Sequence, residues 1–210
     1  GRYQIIGQLG QGGMGAVYLA RDMELFGRLC VVKQMRPFFA TQSERRKAEA
    51  DFQREAEVLV HLNQPGHPRI PEVYGYFVEG MDQFLVMKYI EGESLERRLE
   101  RLKRPLSETE VIRCARDVAN ALVYLHSRGP QPVIHRDIKP TNVLVAEYDD
   151  RPVPKIIDFG VAKATEQRLT QKTLFTQFGQ VVGTIDYMSP EQAKFNQLDV
   201  DTRSDIYSLG

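Results

Sequence analysis

The stretch His135-Arg136-Asp137-Ile138-Lys139-Pro140-Thr141-Asn142 decides the fold prediction for this chain, together with Asp158-Phe159-Gly160 downstream. These two segments carry two carboxylates, a carboxamide and an ammonium group. Carboxylate and amide oxygens are ligands that Mg²⁺ accepts in proteins. A nearby ammonium can neutralise charge that develops on a phosphoryl group. The two segments therefore predict a site for chemistry on a phosphate.

Length and composition limit the number of domains and the classes of partner that we expect. The chain has 210 residues, enough for one or two domains with a buried core. Lys plus Arg number 28 and Asp plus Glu number 28, so the formal net charge is zero. A neutral chain gives no electrostatic reason to expect nucleic acid or a membrane as a partner.

The sequence also bears on cellular location. Cys30 and Cys114 lie in apolar segments, and we expect reduced thiols in a cytosolic protein. No apolar run approaches the roughly 20 residues of a membrane span, and no signal peptide precedes the first motif. We therefore expect a cytoplasmic location, although the full-length protein could be anchored to a membrane outside this segment.

The hydrophobic pattern divides the chain into a strand-rich and a helix-rich part. Short segments of strand character, alternating at 3–9 and 16–20 and a continuous apolar run at 29–33, predict strands there and at 73–77 and 84–87. Residues 43–62 have helical spacing, and helices dominate from Leu95 onward, with short strands near 143–145 and 155–157. A capping box at 107–110 begins an apolar stripe over 111–125. We expect a small lobe at 1–87, a hinge at 88–91 and a larger lobe at 92–210, with a ligand cleft between the lobes.

Gly10-Gln11-Gly12-Gly13-Met14-Gly15-Ala16-Val17 is a glycine-rich segment of the kind that covers phosphates. Glycine lets backbone amides approach phosphate oxygens without an intervening side chain. A dinucleotide-binding fingerprint must open a helix, but residues 16–20 alternate as a strand. A Walker loop must end in Gly-Lys-Ser/Thr, and Gly15 is followed by Ala16. Both of these alternatives fail, while a flexible hairpin without a ligand stays open for this motif alone.

Lys33 and Glu55 are candidates for a buried ion pair. Lys33 closes the predicted strand 29–33, where a solvated strand end is the simplest interpretation. Glu55 shares the apolar face of its helix with Phe52 and Leu59. An unpaired carboxylate on that face would be costly. We therefore expect Glu55 to pair with Lys33, the alternative being a Glu55 exposed at the rim.

The motifs together resemble those of a eukaryotic-like Ser/Thr protein kinase, most closely the bacterial type. The resemblance covers residues 1–210. It implies an α+β, two-lobed fold with a small antiparallel β lobe that carries one helix and a larger, mainly helical lobe. The family's domain is longer, so we expect a C-terminal truncation within the helix that starts near Thr202.

The resemblance also implies the activity, the cofactors and the roles of individual residues. It implies ATP and Mg²⁺ as cofactors and transfer of the γ-phosphoryl group to Ser or Thr of protein substrates. Asp137, Lys139, Lys33 and Glu55 would be catalytic, and Asn142 and Asp158 would hold the metal. The residues implied for nucleotide binding are Gly10, Gly12, Gly13, Gly15, Val17, Val31, Lys33, Met87, Tyr89, Ile90 and Leu144. Val31 stands where the family usually has alanine, and its extra methyl groups should lower the roof of the pocket.

Regulation is implied by the segment between Asp158 and Glu191. In the family, an arginine in the position of Arg136 marks enzymes that are activated by phosphorylation of this segment. We expect autophosphorylation, including between two copies in trans. The candidate acceptors are Thr165, Thr170, Thr173 and Thr176, of which Thr176 is the strongest. Thr184 is implied to form a hydrogen bond near Asp137 and Lys139.

Three supporting residues complete the implied site. His135 is expected to be structural, with its ring near Phe159, and to take no part in proton transfer. Asp205 matches the family's buried aspartate that braces the catalytic loop. Glu191 belongs to Ser189-Pro190-Glu191, which replaces the family's Ala-Pro-Glu, and we expect it to lack its usual arginine partner.

Three alternatives remain beside an active kinase. A small-molecule phosphotransferase of related fold is disfavoured by the long segment that ends in Ser-Pro-Glu. A nucleotide-binding pseudokinase is disfavoured because every catalytic residue is present. An inactive fragment that acts as a binding module is the third. For residues 1–210 alone we expect weak or no activity, because the stripe 111–125, Ile206 and Leu209 would lose cover.

Overall fold

The computed structural model describes residues 1–12, 15–35, 41–128, 132–149, 151–158, 185–193 and 200–210, without the side chains of residues 12, 44, 48 and 185. These residues form two compact units. The first unit holds residues 1–66 and 72–89. The second unit holds residues 67–71 and the described residues from Ile90 onward.

The first unit is built on a five-stranded antiparallel sheet with the order β1-β2-β3-β5-β4. Its strands are β1 (Tyr3–Gly12), β2 (Gly15–Asp22), β3 (Arg28–Met35), β4 (Val73–Glu79) and β5 (Asp82–Lys88). The five predicted strands are confirmed, and each extends beyond its predicted bounds. Lys33 therefore lies inside β3 and does not close it, because the strand's hydrogen bonding continues to Met35.

Helix α1 (Gln42–His61) packs against β4 and β5 on one face of this sheet. The predicted helical spacing is confirmed by burial of Phe52, Ala56 and Leu59 on that face. The Phe52 ring meets the Tyr76 ring edge-on, with 5.9 Å between centroids. Burial of a large apolar side chain contributes about 1.5–3 kcal/mol, so this face supplies much of the stability of α1.

A second cluster of apolar side chains packs on the sheet around Val32. Ala20, Cys30, Val32 and Val86 are buried there. Partly buried aromatic residues cover them, namely Tyr3, Tyr18, Tyr74, Phe77 and Phe84. The rings of Tyr3 and Phe77 stack although β1 and β4 are opposite edges of the sheet, so the sheet is strongly curled.

The second unit combines a small sheet with helices. Strands β6 (Glu93–Ser94), β7 (Val143–Tyr148) and β8 (Arg151–Ile156) pair antiparallel in that order. The helices are α2 (Leu95–Leu102), α3 (Glu108–His126), α4 (Pro190–Ala193) and α5 (Thr202–Leu209). Among the helices of the described ranges, none has both the length and the apolar composition needed to cross a bilayer.

The apolar stripe predicted on α3 is only partly confirmed. Val118, Leu122 and Leu125 are buried, so the expected loss of cover is wrong for the second half of the helix. Val111 is 49% exposed because it lies in the first turn. Ile206 on α5 is exposed, as expected.

Residues 67–71 join the second unit through an ion pair and backbone hydrogen bonds. Arg69 Nη2 lies 2.8 Å from Asp117 Oδ2, and both side chains are largely buried. The Arg69 carbonyl accepts from Ile156 N–H at 2.8 Å. The His67 ring lies against Tyr124, with 5.2 Å between centroids. These contacts tie β8 to α3 and so position the segment after β8, which carries Asp158.

The predicted capping box is confirmed and makes the stability of α3 depend on pH. Ser107 N–H donates to Glu110 Oε2 at 2.7 Å, and Glu110 N–H donates to Ser107 Oγ. These bonds, with help from Arg104, lower the pKa of Glu110 to about 2. A depressed carboxyl pKa means that the charged form stabilises the folded state above the ordinary pKa of 4.5, and this contribution is lost as pH falls towards 2.

We therefore expect acid to lower the urea midpoint of the wild type more than that of Glu110→Gln, over about pH 5 to pH 2. Glu108→Gln is the matched control, since Glu108 is an exposed glutamate of the same first turn outside the box. Identical pH profiles for the wild type and Glu110→Gln would contradict the prediction.

Candidate active site

Asp137 lies in a turn that is held by hydrogen bonds from Asn142. The Asn142 side chain is buried, and its Nδ2 donates to both the carbonyl oxygen and Oδ2 of Asp137, at 2.8 Å each. Lys139 Nζ lies 3.0 Å from the same Oδ2. The structure thus brings Asp137, Lys139 and Asn142 together. One carboxylate oxygen of Asp137 accepts from two donors, which fixes the orientation of the group.

Asp205 braces the start of this turn from α5. Its buried carboxylate accepts from His135 N–H at 2.9 Å and from Arg136 N–H at 2.7 Å. It also bonds His126 Nε2 at 2.8 Å. Arg136 has a φ of 66°, a conformation that costs energy for a residue other than glycine. The carboxylate of Asp205 therefore stabilises a strained peptide directly before Asp137.

His135 is buried between the turn and the segment after β8. Its Nε2 bonds the carbonyl oxygen of Ile157 at 2.9 Å, and Asp137 N–H donates to its Nδ1 at 3.3 Å. Nδ1 is thus the acceptor and Nε2 carries the proton. Burial lowers the pKa of His135, which favours this neutral form. The geometry agrees with the structural role expected for His135, while its expected neighbour Phe159 lies outside the described residues.

Asp158 is placed by the backbone of the residue before it. Ile157 N–H donates to the Asn142 carbonyl at 2.9 Å, and the Ile157 carbonyl accepts from His135. Asp158 itself has a φ of 65°. Asn142 and His135 thus hold the peptide that leads into Asp158. The backbone of Asp158, like that of Arg136, is strained.

The side chains of Asn142 and Asp158 fit a Mg²⁺ ion by their chemistry. Asn142 uses its Nδ2 for Asp137, so its Oδ1 is the atom that remains to face a cation. The Thr141 hydroxyl approaches Oδ1 only at 3.5 Å. An amide oxygen and a carboxylate are two hard ligands, and Mg²⁺ usually takes one or two carboxylates and completes its shell with phosphate oxygens and water.

The first unit carries the other predicted catalytic pair. Lys33 is opposite Val17 on β2 and opposite Leu85 on β5. Glu55 is half-buried on α1. Its neighbours on the helix, Phe52 and Ala56, are buried. Both residues therefore belong to the same unit, and the ion pair between them stays a prediction.

Residues 10–12 and 15–17 of the glycine-rich segment lie on the paired strands β1 and β2, with Gly12 opposite Gly15. Gly15 has a φ of 150°, and a Cβ there would collide with the backbone of Gln34, so glycine is required. A Cβ on Gly10 would meet no atom within 4 Å, so this backbone is open to an approaching group. Gly13 lies outside the described residues.

The remaining residues predicted for nucleotide binding fall on both units. In the first unit, Val31 and Met87 are partners across β3 and β5, and Tyr89 directly follows β5. In the second unit, Ile90 is buried and Leu144 lies half-buried on β7.

The segment that follows Asp158 is described only from residue 185. Phe159, Gly160, Thr165, Thr170, Thr173, Thr176 and Thr184 lie outside the described residues. Glu191 accepts a hydrogen bond from Ser204 Oγ at 2.5 Å, so α4 is tied to α5 by a hydroxyl group. This bond, with others, lowers the pKa of Glu191.

Gln192 is a residue that the sequence analysis missed. Its Nε2 donates to the Arg136 carbonyl at 2.9 Å, and its Oε1 accepts from Ser189 N–H at 3.2 Å. Gln192 thus links α4 to the residue before Asp137. No sequence pattern marks this role, because a glutamine in a short helix is ordinarily solvent-exposed.

Comparison with known proteins decides the family. The sequence pattern of the protein kinase domain matches residues 3–210. The chain belongs to the protein kinase family. The predicted α+β kinase fold is thereby confirmed for this kinase domain. The kinase domain of PknI from Mycobacterium tuberculosis has 30% sequence identity and a TM-score of 0.71, with 99% of this chain and 71% of that chain covered.

Two curated relatives are bacterial. Serine/threonine-protein kinase C of Synechocystis sp. is 36% identical over 210 residues, which is 100% of this chain and 37% of that protein. Serine/threonine-protein kinase pkn3 of Myxococcus xanthus is 38% identical over 210 residues, which is 100% of this chain and 36% of that protein. This kinase domain thus spans little more than a third of the length of these two curated relatives.

Proposed function

We propose that the protein transfers the γ-phosphoryl group of ATP to Ser or Thr hydroxyls of protein substrates, in the cytoplasm. The observation that carries this proposal is the Asp137 carboxylate, which is fixed at one oxygen by Asn142 Nδ2 and Lys139 Nζ. A carboxylate oriented in this way is suited to accept a proton from a hydroxyl. The names of the bacterial relatives support Ser and Thr as acceptors.

In the proposed reaction, the substrate hydroxyl oxygen forms a bond to the γ-phosphorus. The bond between the γ-phosphorus and the β–γ bridging oxygen breaks, and ADP leaves with that electron pair. Asp137 orients the hydroxyl and takes its proton, and Lys139 neutralises charge on the transferred group. Asn142 and Asp158 would hold Mg²⁺, which when bound would supply further neutralisation of charge on the phosphate oxygens.

ATP is the proposed phosphoryl donor, and its binding uses residues of the glycine hairpin and the neighbouring strands. Gly10, Gly12, Gly13 and Gly15 would contact phosphates through backbone N–H groups, while Lys33, oriented by Glu55, would contact the α- and β-phosphates. The residues proposed to contact the adenine are Val17, Val31, Met87, Tyr89, Ile90 and Leu144. Valine at position 31 is larger than the alanine that the family usually has there, so we expect it to narrow the adenine pocket.

We expect Lys33→Met to lower the rate of phosphoryl transfer at least about 100-fold while the protein stays folded at the assay temperature, because the variant loses a positive charge at the phosphates. Label incorporated from γ-³²P-ATP into a generic basic protein measures the rate. Lys47→Met is the control, since Lys47 is an exposed lysine on α1. A variant that keeps wild-type activity would show that Lys33 is not the phosphate ligand.

We expect autophosphorylation between copies, with Thr176 modified first, because Arg136 provides a positive charge for a phosphate on this segment. Wild-type protein and a size-tagged Asp137→Asn protein are incubated together with ATP and Mg²⁺ and analysed by mass spectrometry. Phosphate on Thr176 of the tagged protein is the expected result. Stoichiometric modification confined to Thr165 would contradict it.

The same assays distinguish the other candidate functions. A pseudokinase or an inactive fragment would bind ATP and leave both the added protein and itself unlabelled. A small-molecule phosphotransferase would consume ATP without labelling protein. Running residues 1–210 beside a longer form of the protein tests the expectation that the shorter form has weak activity.

A further inference from the structure

Ser189 and Gln192 cap each other at the start of α4. Ser189 N–H donates to Gln192 Oε1 at 3.2 Å, and Gln192 N–H donates to Ser189 Oγ at 3.4 Å. This is the reciprocal pattern of a capping box, in which a hydroxyl residue pairs with a glutamine or glutamate three positions later. Pro190 takes the first helical position, where its missing N–H is no loss. The oxygen of the Gln192 carboxamide is therefore used by α4 itself.

The nitrogen of the same carboxamide bonds a different segment. Gln192 Nε2 donates to the Arg136 carbonyl at 2.9 Å. The two partners fix the orientation of the amide, because a flipped side chain would turn its oxygen towards a carbonyl and its nitrogen towards an N–H group. Glutamate would satisfy the cap equally well. An ionised glutamate has no donor, however, so the bond to Arg136 requires the carboxamide.

The Arg136 carbonyl belongs to the peptide that leads into Asp137. At the other end of this peptide, Asp137 N–H donates to His135 Nδ1 at 3.3 Å, which is a long bond. Arg136 has a φ of 66°, and its own N–H donates to Asp205. A strained backbone persists where its surroundings hold it in place. Asp205 and Gln192 thus hold Arg136 from its two ends, and Gln192 holds the peptide directly before Asp137.

We propose that Gln192 is a positioning residue for phosphoryl transfer, which fixes the Arg136–Asp137 peptide and so directs the Asp137 carboxylate. This role is additional to the capping of α4, and it rests on the proposed function, in which Asp137 accepts the proton. Gln192 contacts neither ATP nor the substrate hydroxyl in that reaction. Its loss should therefore lower kcat and leave the KM for ATP unchanged, because a small misplacement of the acting group slows the chemical step.

Three variants separate positioning from capping. Gln192→Glu keeps the acceptor for Ser189 N–H and loses the donor to Arg136, and Gln192→Met loses both without adding a charge. Ser189→Ala is the matched control, since it loses the capping hydroxyl while its backbone N–H can still hold Gln192 Oε1. We expect kcat to fall about tenfold in both Gln192 variants, as for the loss of one hydrogen bond. Ser189→Ala should lower the thermal midpoint and keep the kcat of the wild type.

The kinetic constants are measured with γ-³²P-ATP and the generic basic protein, on the longer form of the protein. An equal fall of kcat in Ser189→Ala and Gln192→Glu would assign the effect to the cap and overturn the proposal. An unchanged kcat in both Gln192 variants would also overturn it, as would a rise in the KM for ATP that accounts for the whole loss of activity.

Hydrogen exchange followed by NMR tests the placement without relying on activity. We expect the Asp137 amide to exchange at least about tenfold faster in Gln192→Glu, because the peptide loses its shorter bond. The Ala193 amide, which donates to the Ser189 carbonyl at 2.9 Å, should keep its rate because α4 stays capped. Unchanged exchange at Asp137 would overturn the proposal. Faster exchange at Asp137 in a protein whose wild type transfers no phosphate would support the placement and contradict the proposed function instead.

Discussion

Replacing Asp205 by alanine is expected to destabilise the protein and to abolish phosphoryl transfer together. The buried carboxylate accepts from His135 N–H and Arg136 N–H and bonds His126 Nε2. Alanine would leave these donors buried without acceptors, at about 1–3 kcal/mol for each group. We expect a total loss of about 3–5 kcal/mol in the free energy of unfolding, measured by urea denaturation.

Two further variants separate the contribution of the Asp205 bonds from general damage to α5. Asp205→Asn keeps the size of the side chain and one acceptor oxygen, so its loss of stability should be smaller. Asp201 caps the same helix from a half-exposed position, so Asp201→Ala should cost only about 1 kcal/mol and leave transfer intact. Wild-type stability and turnover in Asp205→Ala would show that the brace at the start of the catalytic turn is dispensable.

Asp137→Asn is expected to lower kcat about 10²–10⁴-fold while ATP binding and the thermal midpoint stay near wild type. The asparagine oxygen can still accept from Asn142 Nδ2 and Lys139 Nζ, so the turn should keep its shape. What is lost is the group that takes the proton of the substrate hydroxyl. Rates from γ-³²P-ATP and affinities from calorimetry measure the two quantities separately.

Asp186→Asn is the control for this prediction, because Asp186 is an exposed aspartate of the second unit. Its kcat should match that of the wild type. A fall in ATP affinity as large as the fall in kcat would assign Asp137 to nucleotide binding and would contradict its proposed role as the group that accepts the proton.

The features that sequence predicts well in this chain depend on local order. Alternating polarity or short apolar runs predict β1 to β5, and the i+3 and i+4 spacing of Phe52, Ala56 and Leu59 predicts α1. The catalytic turn is also local, because Asp137 and Asn142 are five residues apart and bond directly. A short sequence pattern can therefore specify both the fold family and the centre of the site.

The features that sequence misses depend on contacts between distant segments. Gln192 bonds the Arg136 carbonyl across 56 positions, and no periodicity marks it. The Ser204 hydroxyl donates to Glu191, and no sequence pattern predicts this contact between α4 and α5. Strand β6 has two residues, too few for alternation to appear. Val111 fits the apolar stripe of α3 by spacing, yet is 49% exposed in the first turn of the helix.

The proposed phosphoryl-transfer site is tested most directly by phosphoamino acid analysis of protein labelled with γ-³²P-ATP, with and without Mg²⁺, using the wild type beside Asp158→Asn. We expect label on Ser and Thr in the wild type, dependent on Mg²⁺, and a loss of nearly all label in the variant, because Asp158 is a proposed metal ligand. Equal labelling by the two proteins, or labelling that does not require Mg²⁺, would contradict the proposed phosphoryl-transfer site.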